Sequence, residues 1–251
     1  MAAKNPTMIS GRGPAISALD PWASSTGRIH QLLTDDERTQ LAVMSSIARF
    51  KKREIIYREG DPAQAVFAIN TGVVAAYKEA PNRRAHIGAF LFADDLFGLS
   101  AEGKYTNSTK AITDVIAYRL PITTLRSRLS KDAELEFHVI CKLCQELRQA
   151  QLHAFLLSEK KAVAKLAMFL KLIEQLQIAK GQQMAEIHLP MERSDIGNYI
   201  GITLPAVSRA FRALTTRGVI KLRNRGHVKI VDRDAFDKIA GDPPALPDIA
   251  L

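Results

Sequence analysis

The spacing of apolar positions changes character three times along the chain. Residues 1–30 are rich in Gly, Ser, Pro and Ala and show little periodicity, which predicts a flexible N-terminal arm. Thr34-Asp35-Asp36-Glu37 places acidic residues in the first turn of a short helix running to about Ser46. Short strand-like runs follow at Ile55–Tyr57, Ala65–Ile69, Val73–Tyr77, His86–Leu91 and Lys110–Leu120. Gly60-Asp61, Asn70-Thr71-Gly72 and Pro81-Asn82 punctuate them, a pattern that predicts a β-sandwich or barrel. From about Lys131 to Ser158 the period becomes helical: Ile140, Leu143, Leu147, Ala150, Ala154 and Leu157 recur at spacings of three and four. That is an a/d seam sustained over nearly three heptads, with small residues that let two backbones approach closely.

Ser158-Glu159-Lys160-Lys161 ends or hinges this helix. Another is expected from Ala162 to Gln177, on Val163, Leu166, Phe169, Leu170 and Ile173, with Gly181 beyond it. Glu186–Pro190 reads as a short strand. Then Ile196, Tyr199 and Ile200 fall at helical spacing, and Gly201 breaks the pattern as a glycine beyond a helix end does. Thr203 is placed to cap a second helix carrying Val207, Phe211 and Leu214. Pro205 sits in its first turn, where no intrahelical partner is lost. Ser208, Arg209 and Arg212 project from the opposite side. The pattern is a helix-turn-helix with a readable outer face. Ile220–Leu222, a turn at Arg223-Asn224-Arg225-Gly226, and His227–Val231 predict a basic hairpin, or wing. Asp234–Ala240 closes the pattern with a short helix, before a Pro-rich tail over 241–251.

Composition narrows the function class. The 251 residues are 47% hydrophobic and 24% charged, ordinary for a globular chain. No apolar run is long enough to span a bilayer and the N-terminus lacks a secretory core, so a cytoplasmic location without membrane contact is expected. Two cysteines cannot staple a chain of this size. The net charge is +9, and residues Glu159–Val231 alone hold 13 Lys and Arg against five Asp and Glu, a net +8. A charge excess superposed on a helix-turn-helix predicts a phosphate-binding surface and a double-stranded DNA partner. No Gly-rich phosphate loop, metal-spaced His/Glu set or nucleophile motif is present, so an enzyme is not expected.

Asp195-Ile196-Gly197-Asn198-Tyr199 with Val207-Ser208-Arg209 resembles the DNA-binding helices of the cyclic-AMP receptor protein/FNR (CRP/FNR) superfamily, and its FNR/FixK branch in particular. Upstream, Tyr57-Arg58-Glu59-Gly60-Asp61, Gly72 and Asp94-Asp95-Leu96-Phe97-Gly98 look like the jelly-roll sensor domain of the same superfamily. The resemblance implies an α+β chain with five parts: the arm (1–30), a β-roll sensor domain like those that bind cyclic nucleotides (31–130), a dimerisation helix (131–158), a winged helix-turn-helix domain (159–240) and the tail (241–251). It further implies a homodimeric transcription regulator that contacts RNA polymerase. The Ser208-Arg209 pair implies an inverted repeat of TTG-type half-sites.

The chain also departs from that pattern. The cyclic-AMP branch carries a glutamate after the glycine matching Gly98 and an Arg-Ser pair further on; here Leu99 and Asn107-Ser108-Thr109 stand at those places. A buried phosphate demands a cationic or multi-donor partner, and Lys104 and Lys110 are the nearest candidates, off the motif position. The oxygen-sensing members carry N-terminal cysteines for an iron–sulfur cluster; this chain has none before Cys141. No cofactor is predicted, and gating by a small effector, haem or thiol oxidation stays open as the alternative. His138 and His153 are the candidate haem ligands, although the six histidines show no metal-ligand spacing. Cys141 and Cys144 form a C-x-x-C one helical turn apart; packing and a redox or metal role are both readings. With Phe137 and Phe155 they outline a second apolar face expected to pack on the sensor domain.

For DNA reading, Arg209 is the residue suited to a bidentate pair with guanine O6 and N7, with Ser208 beside it. The family's usual glutamate three residues before that serine is replaced by Pro205, so discrimination there is expected to relax or to change to apolar contact of Leu204, Pro205 or Ala206 with a thymine methyl. Arg193, Thr203, Arg212, Arg225 and His227 are expected at the phosphates, which position without specifying.

Overall fold

The computed structural model describes residues 43–80, 85–179, 185–224 and 226–241. The expected arm, nearly all of the Thr34–Ser46 helix, Gly181, Arg225 at the wing turn and the tail past Gly241 lie outside the described residues.

Two four-stranded sheets form the N-terminal roll. One orders its strands β1 (Ser46–Phe50), β8 (Val115–Pro121), β3 (Ala65–Thr71) and β6 (Leu96–Phe97). The other orders β2 (Ile55–Tyr57), β7 (Ser108–Ala111), β4 (Val74–Glu79) and β5 (Ala85–Leu91). All pairings are antiparallel. Aromatic side chains fill the space between the sheets: Tyr57 stacks on Tyr105 with centroids 3.6 Å apart, and Phe67 on Phe97 at 5.1 Å.

Three sequence expectations change here. The helix expected to reach Ser46 gives way to β1, an edge strand whose mostly exposed residues lack the alternation that marks a strand. The run Lys110–Leu120 is two strands in different sheets. Thr113 turns the corner: its hydroxyl accepts from Val73 N at 2.9 Å and donates to Asp114 O at 3.0 Å. Helix α1 (Ile122–Leu129), begun at Pro121, was not anticipated, because Leu125 is its one buried side chain.

Helix α2 (Ala133–Ser158) is 26 residues long, which at 1.5 Å per residue makes a rod of about 39 Å. Asp132 caps it by accepting from Leu135 N at 3.1 Å. Leu135, Val139, Cys141 and Leu156 are buried, and Lys142 ties the rod to the roll through Asp95 at 2.8 Å. Phe137 and Phe155 do not join that face; they are 52% and 39% exposed, which corrects the expected packing. Position 137 lies about 200° around the helix from buried Leu135, so the two cannot share one contact stripe. Cys141 is buried and Cys144 exposed, so the pair does not form one packed unit.

Helix α3 (Ala162–Ala179) carries Leu166, Phe169 and Leu170 fully buried and Ile173 2% exposed. β9 (Ile187–His188) joins the wing sheet in the order β10 (Ile220–Asn224), β11 (His227–Ile230), β9. One apolar cluster runs from Ala75, Tyr77, Ile87 and Phe90 of the roll through α3 into the C-terminal helices. Successive residues of a strand face opposite sides. In β4, Val74 and Ala76 belong to the roll interior while Ala75 and Tyr77 join this second cluster, so the strand is buried on both faces.

Glu146 of α2 has a buried carboxylate oxygen, Oε1, with no hydrogen-bond partner among the described residues. Burial pushes its carboxyl up to about 7; Lys142 opposes that shift and Asp95 adds to it. A carboxyl raised on folding contributes stability that is complete below its unfolded value and is lost as pH rises through about 7. Glu146→Gln should therefore flatten the fall in melting temperature between pH 5 and pH 8, measured by thermal denaturation, with its largest stabilisation at pH 8.

Candidate nucleic-acid interface

Helix α4 (Arg193–Ile200) and helix α5 (Leu204–Thr216) form the helix-turn-helix. Ile196, Tyr199 and Ile200 of α4 and Val207, Phe211 and Leu214 of α5 are buried together, as their spacing predicts. Gly201 closes α4 in the left-handed conformation at φ 71°. Gly197 is the point of closest approach: a Cβ there would lie 2.9 Å from Ile202 O and 3.2 Å from Val207 Cγ2. Thr203 Oγ1 accepts from Ala206 N at 3.4 Å, and Pro205 occupies the first turn.

The opposite face of α5 is open. Leu204, Pro205, Arg209 and Arg212 are exposed and Ser208 is half-buried. Arg193 is half-buried, with its guanidinium 4.8 Å from the Phe211 ring centre, so it braces α4 against α5. His227 stands opposite His188 in the β9–β11 register, with ring centroids 4.9 Å apart. Its Nδ1 donates to Asn224 Oδ1 at 3.0 Å, and the same oxygen accepts from Gly226 N at 2.8 Å. Burial, then the neighbouring His227, hold the His188 imidazole below its ordinary range.

Residues not anticipated in this role tie this unit to the rest. Lys110 Nζ donates to Asp195 Oδ1 at 2.8 Å, and Arg53 Nη2 to Glu192 Oε1 at 2.7 Å. His153 Nε2 donates to Tyr199 O at 2.7 Å, its ring stacked 4.0 Å from that of Tyr199. Lys165 Nζ donates to Leu157 O and Ile200 O at 3.0 and 3.2 Å. Apart from Lys165 to Leu157, these links join residues 35 to 139 positions apart, which no local spacing signals.

Residues 164–239 match the Crp-like helix-turn-helix domain, and residues 47–132 match the cyclic nucleotide-binding domain. The chain is 28% identical over 196 residues to the regulatory protein HlyX of Actinobacillus pleuropneumoniae, spanning 77% of this chain and 82% of that protein. It is also 28% identical over 200 residues to the nitrogen fixation regulation protein FixK of Azorhizobium caulinodans, spanning 79% and 81%. The solved structure of FixK2 from Bradyrhizobium japonicum superposes with a TM-score of 0.73 at 29% identity, over 79% of this chain and 98% of that one. The chain belongs to the CRP/FNR superfamily. Its similarities to FixK proteins place it beside the FNR/FixK branch. Like other members of the superfamily it is a transcription regulator with a helix-turn-helix DNA-binding domain, and not an enzyme.

Membership raises the question of a cyclic nucleotide in the roll, and the residues do not fit one. Leu99 packs with Val66, Leu120 and Leu125 and offers no hydrogen bond to a ribose. Ser108 Oγ accepts from Glu59 N at 2.9 Å. Lys110, raised above as a substitute cation, is turned to Asp195, which rules it out for a phosphate. The exposed backbone of Lys104 accepts from Ser100 Oγ at 2.6 Å, at the roll surface. The stacked Tyr57 and Tyr105 rings occupy the interior. For thiol chemistry, burial and then Cys144 raise the Cys141 thiol, which disfavours the reactive thiolate. Of the two histidines considered for haem, His153 is buried against Tyr199, and no group of three or more metal-ligating side chains occurs among the described residues. No described helix is long and apolar enough to cross a membrane.

The close approach at Gly197 yields a direct prediction. Gly197→Ala must push a methyl group against the Ile202 carbonyl, and overpacking of this kind typically costs about 1–3 kcal/mol. Chemical denaturation should show that loss, and mobility-shift titration should show DNA affinity reduced by more than tenfold.

Proposed function

We propose that this CRP/FNR-family regulator works in the cytoplasm as a homodimer that binds an inverted repeat of TTG-type half-sites. One observation carries the reading: α5 buries Val207, Phe211 and Leu214 while leaving Leu204, Pro205, Arg209 and Arg212 exposed along one side. An exposed guanidinium on a recognition helix is suited to guanine O6 and N7, and such a pair typically discriminates by about 1–3 kcal/mol. Ser208 sits one residue earlier for an adjacent base. Thr203, Arg212, Arg225 and His227 serve the phosphates, as does whatever reach Arg193 keeps beyond Phe211.

The seam of α2 supports dimerisation. Ile140, Leu143, Leu147 and Leu157 are 50%, 43%, 61% and 42% exposed in the single chain, and Ala150 and Ala154 are exposed between them. An apolar stripe of this length requires a cover, and a second α2 across a two-fold axis provides it. Two recognition helices then meet half-sites about 34 Å apart. Contact with RNA polymerase belongs to the same reading.

Control by an effector is the second reading. Buried Glu146 Oε1 lacks a hydrogen-bond partner among the described residues, which leaves polar capacity beside the roll for a ligand other than a cyclic nucleotide. The absorption spectrum and intact mass of purified protein separate the two: a Soret band or added mass establishes a bound group.

Random-site selection with full-length protein tests the leading reading. It should recover inverted repeats whose guanine preference disappears in Arg209→Ala. Recovery of single, unpaired sites, or an unchanged guanine preference in the variant, would contradict it. At the base facing Pro205 the selection should be relaxed or favour thymine; a strict preference for the cytosine that pairs with glutamate in relatives would refute the role given to Pro205.

A further inference from the structure

Helix α4 is only eight residues long, yet it is held at both ends from outside the helix-turn-helix. At its N-terminal end Asp195 is 8% exposed and accepts from Glu192 N at 3.3 Å with one oxygen, as part of the helix cap. The other oxygen accepts from Lys110 of β7 at 2.8 Å. The two side chains are 27% and 12% exposed, so salt screens this pair less than a surface one. At the C-terminal end, the carbonyls of Tyr199 and Ile200 belong to the group that a helix leaves unsatisfied. His153 of α2 donates to the first and Lys165 of α3 to the second. Lys165, itself 8% exposed, also donates to Leu157 O in the last turn of α2, so one ammonium joins the ends of two helices. Between these ends Tyr199 packs 5.2 Å from Phe90 of β5 and 5.5 Å from Phe169 of α3.

These contacts have a common direction. None touches the exposed face of α5; all of them fix α4 relative to β5, β7, α2 and α3. Since α4 and α5 share one buried core and meet closely at Gly197, the recognition helix follows α4 as a rigid body. We infer that Lys110, His153 and Lys165 are positioning residues for DNA recognition: they set the separation between half-sites that the protein accepts, without reading a base. The inference rests on the homodimer reading above, because only a pair of recognition helices has a separation to set. Moving a half-site by one base pair shifts it by about 3.4 Å along the duplex and turns it by about 35°, a demand that a loosely held α4 can meet and a fixed one cannot.

The test uses full-length protein and a panel of inverted repeats whose central spacer is the preferred length, one base pair shorter, or one longer. Wild type should favour one spacer by at least tenfold. Lys110→Met should retain the half-site sequence preference while spacer discrimination falls below threefold, and Lys110→Arg, which keeps the ion pair, should restore it. Lys165→Met should act in the same direction. A substitution that merely lowers the folded fraction weakens binding to every spacer by one common factor, and that outcome for Lys110→Met overturns the inference, as does unchanged discrimination. Wild type with no preference for a repeat over a single half-site would remove the homodimer reading and this inference together. Failure confined to the variants removes the inference alone.

Discussion

The outer face of one sheet carries the arrangement of the whole molecule. β4 and β5 bury one side in the roll and the other, through Ala75, Tyr77, Ile87 and Phe90, in the cluster that includes α3 and the helix-turn-helix. Phe90 makes ring contacts with both Phe169 and Tyr199, so the roll, α3 and α4 meet at one side chain. Fully burying a side chain of this size stabilises by about 1.5–3 kcal/mol, and the contact is continuous across the two family-matched segments. The polar links at either end of α4 give that apolar contact a defined angle. Without the shared core those links would be isolated surface pairs of little consequence.

Charge and packing divide the work between the two ends of the chain. The roll interior is apolar and aromatic, with Tyr57 and Tyr105 stacked in it, and its neighbouring charges, Lys142 and Asp95, neutralise each other at 2.8 Å. The stretch Glu159–Val231 carries a net +8 against +9 for the whole chain and leaves Arg209 and Arg212 free of burial. A basic surface draws any duplex, with a strong dependence on salt; specificity must come from the exposed face of α5. Pro205 keeps the helix start intact while supplying no hydrogen bond, so folding and readout place separate demands on that position.

Much of this was legible in the sequence because it is local. Helix spacing marked α2, α3, α4 and α5, and Gly201 and Thr203 marked the turn between the last two. Buried and exposed positions on α5 fell where a 3.6-residue period places them. What escaped was non-local or weakly patterned. β1 is a mostly exposed edge strand, and α1 buries only Leu125. Phe137 and Phe155 suggested a packed face by composition alone, and geometry left them exposed. Lys110, His153 and Lys165 are single polar residues in otherwise ordinary elements. Their partners lie 85, 46 and 35 positions away, distances at which spacing carries no information. Asp195 was visible as a motif member, but its second oxygen, committed to Lys110, was not.

The central claim is that Arg209 reads guanine, and a coupling measurement addresses it most directly. Affinities would be determined for wild type and Arg209→Ala on the selected inverted repeat and on the same repeat with its half-site guanines replaced. The account predicts strong coupling: base replacement weakens wild type by at least tenfold and leaves the alanine variant nearly unaffected. Equal losses in both proteins would show that the guanidinium and the guanine act independently, and would contradict the account.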